Sequence, residues 1–262
     1  MNKQIGIDVS EFNGLIDWSK VKPHIDFAML RAGFGSSTSD EKFKINATNC
    51  SNLRIPFGVY WFSYAYTKDM AIKEANRCLS MLKSYHISCP VAFDFEYASV
   101  EYAKKKGVTI SAELMCEIAK AFLDTVKQAG YIPMLYTNLD FWNRGFKKLN
   151  KQYAIWFAQW GVEKPAVYCS MWQDSSNGKI EGINTYVDTN ISYVKYIIPQ
   201  AEDEIKQKLD GIHKKYNAEY VEIARDVING VYGNGADRVN NLKNSGFDPS
   251  YVQEIVNALL GY

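Results

Sequence analysis

The chain has 262 residues, enough for one large domain or a medium domain with a small module. With 47% hydrophobic and 23% charged residues it is a folded protein rather than a disordered one, and a net charge of +1 gives no strong pull toward nucleic acid or membrane. His24, His86 and His213 stand far apart with no HExxH, Cys/His cluster or GxSxG elbow, which excludes the common zinc- and serine-hydrolase patterns and leaves carboxylates and aromatics for chemistry.

The opening stretch, MNKQIGIDVSEFNG, has one lysine and no continuous apolar run, so it does not read as a signal peptide. The expectation is a protein made in the cytoplasm that needs a separate agent to reach anything outside. From there, short β-rich runs alternate with helical patterns. Ile5–Val9, Phe27–Arg31, Ile55–Phe62, Val91–Glu96, Ile132–Thr137, Ala154–Gln159 and Val167–Gln173 read as strands. Lys68–Tyr85 and Ser111–Gln128 read as helices; in the second, Ser111 caps the first turn, Leu114, Ile118, Phe122 and Val126 form a stripe, and Gly130 stops it. Strand–helix–strand repetition implies parallel pairing in a barrel or doubly wound sheet. From Ala154 to Asp188 the connections are too short for helices, which predicts antiparallel pairing there. Cys50, Cys78, Cys89, Cys116 and Cys169 form no CxxC pair and read as buried reduced thiols. No stretch approaches 18 apolar residues, so no membrane span is expected.

Composition shifts near residue 200. All six tryptophans lie before residue 173, and residues 201–262 carry seven Lys and Arg against ten Asp and Glu. Pro199 and the polar run 200–204 mark the boundary. Beyond it, helical periodicity runs over Glu219–Ile228, Asp237–Leu242 and Pro249–Leu260, broken by Gly230, Gly233, Gly235 and Gly246. Three short helices make a small bundle, marginal by size alone.

The most informative string is CPVAFDFEY, residues 89–97. Alternation along a strand puts Phe93 and Phe95 on one face and Ala92, Asp94 and Glu96 on the other, with the two carboxylates about 6.5–7 Å apart at Cβ. Two anions buried together are costly unless one is protonated, and an acid beside an anion is the arrangement acid–base chemistry uses. The alternative is an exposed strand edge with two solvated acids. Asp8, in GIDVSEFNG, and Asp188, in TYVD, end two further runs, and acids at strand ends collect at one mouth of an α/β barrel. Either alone is as well explained as a helix or turn cap. Aromatics sit in the same places: Tyr60, Phe62 and Tyr64 share a strand face, while Tyr136, Trp160 and Trp172 end three later runs. Such rings stack on the C–H faces of sugars and keep polar handles for hydroxyls. Trp18, Trp142 and Trp156 read instead as ordinary core. Arg31, near the end of an apolar run, is grouped with the substrate-binding residues, where it is expected to act by pairing with an active-site carboxylate.

From Lys3 to about Tyr196 the chain resembles the family 25 glycoside hydrolases, the Chalaropsis-type lysozymes of phage lysins and bacterial autolysins. The likeness is spread over IGIDVSEFNG, FAMLRAGFG, FGVYWF, VAFDFE, PMLYTN, IWFAQW, MWQ and TYVDTN, in the family's order. It implies an α/β fold, a flattened irregular (β/α) barrel, that cleaves the β-1,4 bond between N-acetylmuramic acid and N-acetylglucosamine without metal or organic cofactor. It also implies that Glu96 is the general acid, that Asp94 stabilises positive charge or orients the substrate acetamido group, and that Asp8 and Asp188 hold and tune the pair. Tyr60, Phe62, Tyr136 and Trp160 match groove positions; Trp61 stands where the family carries His and by alternation points away from the mouth. Retaining pairs lie about 5–5.5 Å apart and inverting pairs roughly 6.5–9.5 Å, while a DxE pair with an N-acetylated sugar also fits attack by the acetamido oxygen.

Residues 220–260 resemble the cell-wall-binding repeat of some pneumococcal-phage lysozymes, a three-helix module that recognises the disaccharide-peptide unit. Arg225, Asp226, Gly233 and Arg238 are the candidate wall contacts, and Tyr232 stands where the family often has Trp. The expected domains are 1–198 (catalytic), 199–217 (helical linker) and 218–262 (wall-binding repeat). Expected partners are peptidoglycan glycan strands and muropeptides, with no nucleic acid and no membrane. A single weak module gains from multiplicity, so oligomerisation through the tail is also expected. The whole reads as an endolysin that lyses Gram-positive cells after holin-type release. The competing readings are a non-catalytic wall-binding protein and a chitinase-like N-acetylhexosaminidase; the longer DxxDxDxE run of chitinases is incomplete here.

Overall fold

A computed structural model of the chain describes residues 3–195, 212, 215–228, 231–232 and 235–260. The chain divides into two compact units, Met1–Tyr196 and Ile197–Tyr262. Apart from residues 212 and 215–217, the expected linker 199–217 lies outside the described residues, as do Gly230 and Gly233.

The first unit holds nine strands: β1 (Gln4–Val9), β2 (Phe27–Phe34), β3 (Thr38–Ser39), β4 (Phe57–Phe62), β5 (Val91–Asp94), β6 (Pro133–Asn138), β7 (Ala154–Ala158), β8 (Met171–Gly178) and β9 (Val187–Ser192). Its α-helices are α1 (Trp18–Val21), α2 (Phe43–Asn52), α3 (Lys68–Leu82), α4 (Tyr97–Lys105), α5 (Ala112–Gln128) and α6 (Leu139–Arg144). Eight strands close a barrel in the order β1, β9, β8, β7, β6, β5, β4, β2, sealed by parallel pairing of β2 with β1, and β3 is an antiparallel edge on β2. Strands β1 to β8 of the barrel run parallel where they meet, and β9 runs antiparallel to both neighbours.

The predicted antiparallel region is therefore confined to β9. The β7–β8 pair is parallel, with Trp156 opposite Met171. Twelve extended residues reach roughly 40 Å, so the 159–170 connection can retrace a short strand without a helix. Strand β8 also starts at Met171 rather than Val167; the segment before it holds Tyr168 outward at 89% exposure.

Strand ends run straight into helix caps, which fixes the loops around the barrel mouth. The Ser10 Oγ accepts from Phe12 N–H just after β1, and Asn138, the last residue of β6, accepts at Oδ1 from Phe141 N–H at 3.0 Å to start α6. Ser111 Oγ accepts from Leu114 N–H at 3.1 Å, and the buried Met115, Ile118, Phe122 and Val126 press α5 onto the barrel. Two apolar layers result. One lies between barrel and helices and includes Phe93, Phe95, Phe122, Trp61 and Trp172. The other fills the barrel: Phe27, Met29, Tyr60, Ala92, Met134, Tyr136, Trp156 and Met171. Gly6 belongs to that interior by necessity, since a Cβ there would stand 2.4 Å from the Phe27 ring.

In the second unit, helices Ala218–Ile228, Gly235–Asn244 and Pro249–Leu260 enclose a core of Val221, Ala224, Leu242, Val252, Ile255 and Val256. Asp248 Oδ1 accepts from the N–H groups of Ser250 and Tyr251 to start the last helix. Among the described residues no helix is long and apolar enough to cross a membrane.

Candidate active site

Period-two alternation builds the site. The inward positions of each strand pass from apolar at one end of the barrel to polar at the other: Met29 then Arg31 on β2, Ala92 then Asp94 on β5, Met171 then Gln173 on β8. Asp8, the fifth residue of β1, pairs directly with Asp188 on β9. Asp188 was expected at the end of a strand and stands near the start of one. Because β9 runs backwards, its start lies at the same mouth as the ends of the parallel strands. Asp8, Asp94, Glu96 and Asp188 thus gather in one place.

Glu96 departs from its expected position. Strand β5 ends at Asp94, and Glu96 is the residue before α4, with extended backbone (φ −130°, ψ −171°). The simple side-by-side strand geometry therefore does not set the distance between the two carboxyls. Glu96 is fixed by the helix start: its N–H donates to the buried Ser99 Oγ at 3.0 Å.

The buried acids are held by amides. Gln173 Nε2 donates to Asp8 Oδ2 at 2.9 Å and to Asp188 Oδ2 at 3.2 Å, and Asn190 Nδ2 donates to Asp8 Oδ2 at 2.8 Å. Both amides are oriented from behind: Tyr136 Oη donates to Gln173 Oε1 at 3.0 Å, and Trp156 Nε1 donates to Asn190 Oδ1 at 2.7 Å. Trp156 is consequently more than core; it faces the barrel interior and steers an amide. Sequence reading passed over Gln173 and Asn190 as well. The available signal was a buried amide in phase with Met171 and with Asp188 along their strands.

Removal from water dominates the charge states. Burial, reinforced by the Asp188 charge, pushes Asp8 up to about 8 against the pull of Gln173 and Asn190. Burial and the charges of Glu96 and Asp8 hold Asp94 well above the usual carboxylate range, with Arg31 opposing. Burial also raises Glu96, the Tyr136 hydroxyl lowering it and Asp188 adding to the rise. Asp188 is raised by burial, partly offset by a hydrogen bond from Asp8. Burial thus disfavours four simultaneous anions, and Asp8, at about 8, is the acid that keeps its proton at neutral pH. Among the described residues, Asp94 Oδ1 is the buried side-chain oxygen without a hydrogen-bond partner.

The remaining candidates separate. Tyr60 and Tyr136 are buried beside Trp156, with ring centroids 5.9 and 4.9 Å from it. Phe62 ends β4 and packs at a tilt against Tyr64, which lies beyond the strand and contacts Tyr102 of α4. Trp160, two residues past β7, is 52% exposed. Trp172, expected among the substrate-binding residues, instead alternates out of phase with Met171 and Gln173, packs in the outer layer and donates to Gln159 O at 2.8 Å. Arg31 pairs with Asp40 and Glu11, each at 2.8 Å, rather than with any of the four acids. Its guanidinium also lies 4.8 Å from the ring of Phe12, a 77% exposed aromatic that sequence reading missed. Among the described residues no cluster of three or more His, Cys, Asp or Glu is arranged to hold a metal ion. The five cysteines are free thiols.

In the second unit, a groove of about 630 Å³ is lined by Arg238, Lys243, Gln253 and Asn257 over Val227, Leu242 and Val252. Arg225 is elsewhere, paired with Glu222 on its own helix; the Asp226 carbonyl accepts from Val231 N–H at 2.9 Å; Gly233 lies outside the described residues.

Residues 221–260 match the CW_7 repeat. The chain is 27% identical to Lysozyme M1 of Streptomyces globisporus, over 71% of this chain and 66% of that protein. It is also 27% identical to the lysozyme of Streptococcus phage Cp-7, over 53% of this chain and 39% of that protein. In structure it is similar to the modular autolysin LytC of Streptococcus pneumoniae, solved in complex with a synthetic peptidoglycan ligand: TM-score 0.65, 29% identity, 73% of this chain and 47% of that one. The chain thus spans two thirds or less of these relatives. Residues 7–183, most of the barrel, match the description Glycosyl hydrolases family 25, and the chain belongs to that family.

Proposed function

We propose that this protein is a peptidoglycan hydrolase, an N-acetylmuramidase that cleaves the β-1,4 bond between N-acetylmuramic acid and N-acetylglucosamine. The observation that carries the reading is the Asp94–Glu96 pair: a buried Asp94 whose carboxyl is raised and whose Oδ1 has no hydrogen-bond partner, beside a partly exposed Glu96 whose carboxyl is also raised. Glu96 gives its proton to the leaving glycosidic oxygen as the C1–O bond breaks. The acetamido oxygen attacks C1, and Asp94 Oδ1 accepts the acetamido N–H, steadying the positive charge that forms. Water then opens the intermediate with Glu96 as base, giving net retention. Asp8 and Asp188 set the field around the pair, and Tyr60, Phe62, Tyr64, Tyr136 and Trp160 line the sugar path, with Arg31 supporting its rim.

Because Glu96 works as an acid, turnover falls as pH rises through its raised pKa. Asp94→Asn and Glu96→Gln are each expected to lower turnover by about 10²–10⁴-fold, measured on purified walls. Near-wild-type turnover by a folded Glu96→Gln protein contradicts the assignment.

The CW_7 match and the polar groove at Arg238 support wall targeting by the second unit. The likeness to the phage Cp-7 lysozyme supports an endolysin that acts on Gram-positive walls after holin-type release. Self-association through the tail belongs to the same reading, and light scattering at working concentration tests it.

A further inference from the structure

Phe12, on the loop after β1, is a 77% exposed ring on a pinned mount. Its N–H donates to Ser10 Oγ, and Ser10 N–H donates to Asn13 Oδ1 at 2.9 Å. Asn13 Nδ2 reaches across to the carbonyl of Tyr186 at 3.1 Å, two residues before Asp188. Glu11 N–H donates to Asp40 Oδ2 at 2.9 Å, and Glu11 Oε2 accepts from Glu41 N–H at 3.0 Å. Against the ring lies the Arg31 guanidinium, 4.8 Å from its centroid and 5.3 Å from that of Phe34. Arg31 is itself buried and held by Glu11 and Asp40. A single exposed apolar residue is ordinary on a protein surface, but here a desolvated cation and its two carboxylates carry one ring in the open.

Resting on the muramidase reading, we propose that Phe12 is a substrate-binding residue for an outer sugar of the glycan strand: its open face stacks on the C–H face of a ring beyond the bond being cut. The barrel sets that position. Arg31 is an inward residue at the mouth end of β2, in register with Tyr60 of β4, and β4 pairs in turn with β5, which carries Asp94. Phe12 against Arg31 therefore stands about two strand spacings from the acid pair, roughly 10 Å, further than one sugar ring reaches. The ligand class follows from what the mount offers. The Arg31 charge is met by two carboxylates, so nothing is left to draw an anion, and the phenyl ring has no polar handle. What remains is a flat apolar face of about the size of a pyranose. Because the ring touches no reacting atom, its contribution is to binding and registers in KM rather than kcat.

The test uses the full chain and peptide-free glycan fragments of two lengths that differ by one disaccharide. Phe12→Ala is expected to raise KM on the longer fragment by about three- to tenfold with kcat little changed, and Phe12→Trp to restore it. A parallel titration follows tryptophan fluorescence in Glu96→Gln, which binds without turnover. All six tryptophans lie before residue 173, so that signal reports the first unit alone. There, Phe12→Ala weakens binding of the longer fragment by the same factor. An equal effect on both lengths, a fall in kcat as large as the rise in KM, equal affinities in the titration, or a loss seen only with peptide-bearing fragments overturns the proposal. Wild type that binds the fragments without releasing muramic acid ends would instead mark failure of the underlying reading, and the titration still decides the role of Phe12.

Discussion

Asp8 has two hydrogen-bonded amides and still sits at about 8, so desolvation and its neighbour Asp188 outweigh both donors. The amides do a different job: they fix where the carboxyl oxygens point. Trp156 illustrates the dependence, since its single N–H at 2.7 Å is what stops Asn190 from presenting its oxygen to Asp8. Trp156→Phe keeps most of the ring and loses that donor. A neutral hydrogen bond is worth about 1 kcal/mol, so kcat is expected to fall roughly fivefold with KM little changed. A variant with altered KM and intact kcat would place Trp156 in sugar packing alone. The acids themselves were legible from sequence because alternation and strand-end position are local properties. The amides were not, because nothing local distinguishes a buried Gln or Asn that orients an acid from one on a sheet surface.

At the level of elements, the β4–α3 connection is pinned by Glu74, a fully buried residue of α3. Its Oε2 accepts from Ser63 Oγ at 2.5 Å and its Oε1 from Tyr64 N–H at 3.1 Å, while Ser63 N–H donates to the carbonyl of Asp94 at 2.8 Å. Burial lifts Glu74 to about 7, the two donors opposing. A raised carboxyl favours the folded state below its unfolded pKa near 4.5 and loses that contribution as pH rises through about 7. The loss is on the order of 3 kcal/mol, and Glu74→Gln is expected to remove it. Thermal unfolding at pH 5 and pH 8 checks this: the four raised acids of the site leave a decline in both proteins, but it should be smaller in the variant by about the Glu74 contribution, and an unchanged decline would exclude Glu74 as a source. Strand content was readable from β-rich runs, and the helix over Ala112–Gln128 from its stripe and Ser111 cap. Helices α2, α4 and α6 were not readable: α2 has no side-chain cap, and α4 and α6 are short and begin at or just past a strand end. The parallel β7–β8 pair escaped for a related reason: loop length permits a crossover without announcing one.

For the whole molecule, a near-neutral charge averages a tryptophan-bearing barrel with an acidic tail that has none. Each unit has its own core, the barrel gathers four acids at its mouth, and the second unit carries the groove at Arg238. Arg238→Ala, in the groove of the second unit, is expected to reduce co-sedimentation with purified walls several-fold; undiminished co-sedimentation would move wall contact elsewhere. Which glycosidic bond the barrel cuts defines its function. Mass spectrometry of the reducing ends released from peptidoglycan, with wild type and Glu96→Gln in parallel, tests it most directly. Muramic acid is expected at the new reducing ends for wild type, with near-complete loss of those ends in Glu96→Gln. N-acetylglucosamine at those ends, or undiminished release by a folded Glu96→Gln protein, would contradict it.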